Sequence, residues 1–196
     1  LAVLLTRQSG FIAAVWPANG ILLAAAMMAR PREWPFVLGA SFAANVVANV
    51  ANDQPLVVAT FLSVCGVAEI LAALGLMRVF KLGDWNRLEE PRMLAGFWLS
   101  VCVLAPILSA ALASAGLHLI AGVSIGAIFS TWWSANALGL ALLTPLLLIV
   151  FRDGVVASGV ALARRGALLS LLLLTLVTAA VFYQSRYPFI FMVFPP

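Results

Sequence analysis

Long apolar blocks alternate along this chain with short polar or basic connections, and the blocks predict its elements. Ile12–Met28, Pro35–Ala51, Pro55–Met77, Met93–Ala115, Ala127–Phe151 and Ala167–Tyr183 each approach the ~20 apolar residues that cross a bilayer as a helix. Leu1–Thr6 reads as the end of a first helix and Phe189–Pro196 as the start of an eighth. The expected fold is all-α: a polytopic transmembrane bundle of about eight helices, the first and last truncated. Residues 1–196 form one integral membrane domain in this reading, with no separate soluble domain and no internal repeat.

Composition agrees with the pattern. The chain is 64% hydrophobic and 9% charged, with mean hydropathy +1.12, whereas soluble domains carry roughly 25% charged residues. The net charge of +4 sits in the short connections, so it does not indicate nucleic-acid binding. Arg30, Arg32, Arg78, Lys81, Arg87, Arg92, Arg152, Arg164 and Arg165 fall in alternate loops, and the opposite loops hold only Arg7 and Arg186. By the positive-inside rule the three basic loops are cytoplasmic, and the eighth helix runs inward. Cys65 and Cys102 lie inside spans and read as buried small hydrophobes rather than a disulfide.

That orientation gathers several polar residues in the outer half of the bilayer. The second span enters through Trp16-Pro17-Ala18-Asn19-Gly20, where Pro17 suits a first helical turn and Gly20 allows a close backbone approach. From Pro17 to Arg30 a helix covers only about 20 Å, short of the ~30 Å hydrocarbon core. WPANG is therefore expected to be a break within the outer leaflet. Ser41, Asn45 and Asn49 recur every four residues on one face of the third span. The sixth span carries Trp132, Trp133 and Asn136, with Thr144 on the face of Asn136. A ligand-binding cleft is expected among Trp16, Asn19, Asn45, Asn49, Trp132, Trp133 and Asn136. The competing reading is an aromatic interface belt with asparagines bonding neighbouring helices. Glu69 is the only carboxylate deep in a span and is placed separately, about 20 Å below Pro55. Arg78 reads as a snorkelling anchor rather than its partner.

Catalytic chemistry finds little support. Gly122-Val123-Ser124-Ile125-Gly126 matches a nucleophile-elbow pattern, but no strand–turn–helix is available for it, and His118, the only histidine, lies in the same short connection. No cofactor is implied, and no cluster of cysteine, histidine and carboxylate spells a metal site.

Two elements, W-P-x-x-G at Trp16, Pro17 and Gly20 and W-W-x-x-[DN]-A-L-G…T-P at Trp132, Trp133, Asn136–Gly139, Thr144 and Pro145, carry a resemblance. Over about residues 10–196 the chain resembles the bacterial membrane-associated sensor domains of the first type. In that family the position of Asn136 is often aspartate, and this chain departs from it. The resemblance implies a sensory input domain, not itself an enzyme, in a bacterial inner membrane. It implies regulation of a C-terminal cytoplasmic output in the same chain: a histidine kinase, diguanylate cyclase or phosphodiesterase. The expected partners are the lipid bilayer, that output domain, a small-molecule ligand and a second copy in a homodimer. The alternatives are a small-molecule carrier or substrate-binding transporter subunit, which would use the same cleft, and a membrane-embedded enzyme.

Overall fold

A computed structural model describes residues 17–82 and 90–153. The expected spans Leu1–Thr6, Ala167–Tyr183 and Phe189–Pro196, together with Trp16, lie outside the described residues. Five helices succeed one another: α1 (Pro17–Met28), α2 (Trp34–Val50), α3 (Leu56–Val79), α4 (Pro91–Ala121) and α5 (Ile125–Asp153). There is no strand among the described residues. α3, α4 and α5 are long and apolar enough to cross a membrane, while α1 and α2 are shorter apolar helices. The chain divides into two compact units, Leu1–Leu148 and Ile149–Pro196. Only the last residues of α5 are described in the second, and the helices pack together within the first.

α3 is the central element and packs against α1, α2 and α4. Its contacts with α4 run in opposite order along the two helices. Leu82 lies against Gly96, Glu69 bonds Ser109, and the Phe61 ring lies over Gly116. The pair is therefore antiparallel. One apolar layer joins Leu22, Leu23 and Ala26 of α1 to Ile70, Ala73 and Leu74 of α3, Phe97 and Val101 of α4, and Leu140 of α5. A second joins Leu62 and Cys65 to Ala110, Ala113 and Leu117, Ile128 and Trp132. Between the layers runs a band of polar side chains.

Helix ends are set locally. Lys81 (φ 57°) and Asp53 (φ 63°) adopt left-handed backbone, so the Leu82 N–H reaches the Met77 carbonyl at 2.8 Å and the Gln54 N–H the Asn49 carbonyl at 3.1 Å. Both are Schellman closures of the preceding helix. Trp34 Nε1 donates to the Ala26 carbonyl at 2.9 Å, and the Arg78 guanidinium stacks 4.6 Å from the Trp34 ring. Arg78 thus packs on an aromatic ring at the end of α3. This cation–π contact brings the connections after α1 and α3 to one end of the unit. Both carry basic residues.

The connection expected over residues 116–126 is much shorter. α4 continues to Ala121, and α5 begins at Ile125. Gly116 stays helical because its bare face receives the Phe61 ring, which occupies the space a Cβ would need. Gly122, at φ 65°, is the true end. Pro145 lies inside α5, and the helix runs on past it.

Candidate functional site

Two residues into the described part of α1, Asn19 turns its carboxamide into the bundle, where it is 1% exposed. Its Nδ2 has two hydrogens and uses both. One goes to Glu69 Oε1 of α3 at 2.9 Å, and the other to Asn136 Oδ1 of α5 at 3.0 Å. The second oxygen of Glu69 accepts from the Ser109 hydroxyl of α4. Ser109 Oγ in turn accepts from Trp132 Nε1 of α5 at 3.1 Å. Asn136 Nδ2 closes the circuit by donating to the Trp132 carbonyl at 3.0 Å. Four helices are thereby joined in one ring of hydrogen bonds, with Glu69 at 0% and Asn136 at 2% exposure.

Small residues make the ring possible. A Cβ on Gly20 would stand 2.5 Å from the Gly139 carbonyl oxygen and 2.9 Å from the Leu143 Cβ. α1 and α5 therefore approach backbone to backbone, as small residues permit between membrane helices. Thr144 Oγ1 donates to the Gly20 carbonyl at 3.1 Å, one step further along the same seam. The expected common face of Asn136 and Thr144 is thus the face that meets α1. On α3, the missing side chain of Gly66 leaves room for the Asn19 carboxamide, whose Oδ1 lies 3.3 Å from the position a Cβ would take. That Oδ1 is buried without a hydrogen-bond partner, and so is Trp133 Nε1.

Each bond in such a ring contributes modestly, about 0.5–1.5 kcal/mol, and membrane pairs often less. Breaking it costs more. Withdrawing one member strands its buried partners at about 1–3 kcal/mol apiece. The arrangement acts as a coupling: a shift of any one of α1, α3, α4 and α5 disturbs bonds made by the others.

Of the residues expected to line a cleft, Asn19, Trp132 and Asn136 come together. Trp133 neighbours them on α5, half-buried against the second apolar layer. Asn45 and Asn49 are half-buried on α2, and Asn49 Nδ2 bonds back to the Asn45 carbonyl at 2.9 Å. Among the described residues no hydrogen bond joins either to the ring. Glu69, set apart at the sequence level, belongs to the ring itself. A sixth span that starts at Ala127, with its tryptophans in an interface belt, puts Asn136 well above Glu69. With α5 beginning at Ile125, Asn136 lies about 16 Å along it and Glu69 about 20 Å along α3, nearly the same depth. Trp132 is correspondingly no belt residue: it is 7% exposed and bonded inside the bundle. Ser109 is the member the sequence did not reveal. It sits in a run of alanines, serines and glycine that reads as packing surface.

The serine of the elbow-like motif is elsewhere. Ser124 is exposed in the Gly122–Ser124 connection, and His118 Nδ1 engages the Val123 carbonyl at 2.9 Å. Among the described residues no group of three or more histidine, cysteine or acidic side chains could hold a metal ion.

A bundle of apolar helices, tied through its interior by a polar ring around one acid, defines a helical membrane domain. The chain belongs to the MASE1 family, whose model matches residues 1–196, a family of membrane-associated sensor domains found in signalling proteins. No curated protein and no solved structure matches the chain.

Proposed function

We propose that this chain is a membrane-embedded sensory input domain that detects its signal in the outer half of the bilayer and regulates a C-terminal cytoplasmic output. That output would be a histidine kinase, diguanylate cyclase or phosphodiesterase. The observation that carries the reading is the hydrogen-bonded ring linking α1, α3, α4 and α5. A sensor needs an element with two arrangements that a stimulus can bias, and a closed ring across four helices makes their movements interdependent. The stimulus acts at Asn19, Trp132 and Asn136, with Trp16 and Trp133 as aromatic walls and Asn45 and Asn49 on the flanking helix. The unpartnered Trp133 Nε1 offers a donor to a bound molecule. The domain transmits and does not catalyse. The basic connections face the cytoplasm of a bacterial inner membrane, and the domain works as a homodimer.

Asn136→Leu in the full-length protein tests this. The substitution removes both side-chain bonds of Asn136 with little change of volume. It is expected to change the stimulus dependence of the output several-fold, and by more than it changes the basal activity. An unchanged response with normal membrane abundance defeats the assignment. Topology is read separately, from Asn52→Cys and from single cysteines placed in the 78–82 connection, in a background lacking Cys65 and Cys102. An impermeant thiol reagent added outside is expected to label the Asn52→Cys variant alone.

A further inference from the structure

Glu69 is the only buried carboxyl among the described residues, and no described positive charge is packed against it. Arg30, Arg32, Arg78, Lys81, Arg92 and Arg152 are all exposed. α1 and α2 carry no titratable side chain, and α5 carries none before Arg152. The remaining titratable groups near it on α3 and α4 are the free thiols Cys65 and Cys102, with His118 at the far end of α4 engaged with Val123. The ring is therefore rich in acceptors and short of one positive charge.

Ser109 shows how that charge is accommodated. Its hydroxyl has one hydrogen but two acceptors in reach, Glu69 Oε2 and the Pro106 carbonyl at 3.2 Å. Its oxygen also receives the Trp132 indole. With Glu69 ionised, the hydroxyl donates to the carboxylate. With Glu69 protonated, the carboxyl donates to Ser109 Oγ and the hydroxyl turns to Pro106. Every donor has an acceptor in both states, and no heavy atom has to move for the exchange.

We propose that Glu69 is a proton-binding site and that the proton, taken from and returned to solvent water, is a ligand that sets the arrangement of the four-helix ring. This rests on the reading of the ring as the sensing element. The two states differ in what they ask of their surroundings. Ionised Glu69 has two donors and no counter-charge, so it gains from water. The bare face of Gly66 is filled by the Asn19 carboxamide, whose unpartnered Oδ1 lies 3.3 Å from the point a Cβ would occupy there. Water admitted at that point competes for Asn19, and Asn19 is the side chain that ties α1 to both α3 and α5. Protonation therefore favours the closed ring, and proton loss favours an opened one.

The test is infrared difference spectroscopy of the full chain in lipid nanodiscs, titrated from about pH 5 to about pH 9, a range that covers buried glutamates. The expected result is a carboxylic-acid C=O band that disappears as pH rises. It is lost in Glu69→Gln and kept in Asp53→Asn. Ser109→Ala is expected to keep the band but shift its frequency, because the protonated carboxyl has lost its acceptor. A band that survives Glu69→Gln, or no titrating band in that range, overturns the proposal. So does a spectral change at fixed pH that requires sodium, which would make the ring a metal-cation site. Should Glu69→Gln fail to insert, an unshifted band in Ser109→Ala overturns it equally. The spectrum needs no output domain. A titrating band with an output indifferent to Asn136→Leu would leave the proton site standing and remove the sensor reading.

Discussion

Asn19 and Asn136 sit on different helices and bond to each other across the bundle, whereas Asn45 and Asn49 lie one turn apart on α2 and Asn49 bonds to the carbonyl of Asn45. The residue types are the same and their consequences differ. A carboxamide that returns to its own helix satisfies itself and leaves the neighbouring helix free to slide. One that spends both amide hydrogens on two other helices fixes three helices at once. Glycine placement accounts for much of the difference. Gly20 and Gly66 bring α1 close enough to α5 and α3 for Asn19 to reach, whereas Gly39 of α2 has nothing within 4 Å of its missing Cβ.

The sharpest way to break this contrast is to truncate both kinds of asparagine. Asn19→Ala strands Glu69 Oε1 and Asn136 Oδ1 and is expected to cost about 2–4 kcal/mol, while Asn45→Ala stays within about 0.5 kcal/mol. Unfolding in detergent measures both, and equal losses would mean that the ring is not a special element. The glycines sharpen the same point at a smaller scale. Gly20→Ala forces a methyl against the Gly139 carbonyl and is expected to cost about 1–3 kcal/mol. Gly39→Ala should be neutral or slightly stabilising, since Ala is the better helix former by about 1 kcal/mol. Trp132→Phe keeps the ring packing but removes the indole donor to Ser109, for an expected loss of about 1 kcal/mol. Ser124→Ala, in the exposed connection, should change neither the unfolding transition nor the output signal.

Much of this molecule is legible in its sequence, and the limits are instructive. The apolar blocks reveal helices, Pro17 and Gly20 mark a close approach, and the eight-residue spacing of Asn136 and Thr144 reveals the face that meets α1. Depth is harder to read. It depends on where each helix begins, and the extension of α5 back to Ile125 carries Asn136 about 3 Å deeper, toward the level of Glu69. Ser109 is harder still. Which of several serines on α4 meets an acid on α3 is decided by the rotational phase of α4, and no local pattern records that phase. Asn45 and Asn49 illustrate the converse, since a polar row on one helix face does not say whether those side chains look outward or bond home.

The phase of α4 has a specific origin. Between Trp98 and Leu104 the helix is wound as a π-helix, with the Ala105 N–H reaching the Ser100 carbonyl. Phe97 and Leu117 are both buried, yet a uniform α-helix would turn them about 200° apart, onto opposite sides. The looser i→i+5 winding retards the turn and lets both ends of α4 face the bundle. That segment works like the differential between two wheels on one axle: each half keeps its own angle. Winding that segment as an ordinary α-helix with every residue kept would swing Ser109 about 100° away from Glu69, unseating the ring without touching any of its members.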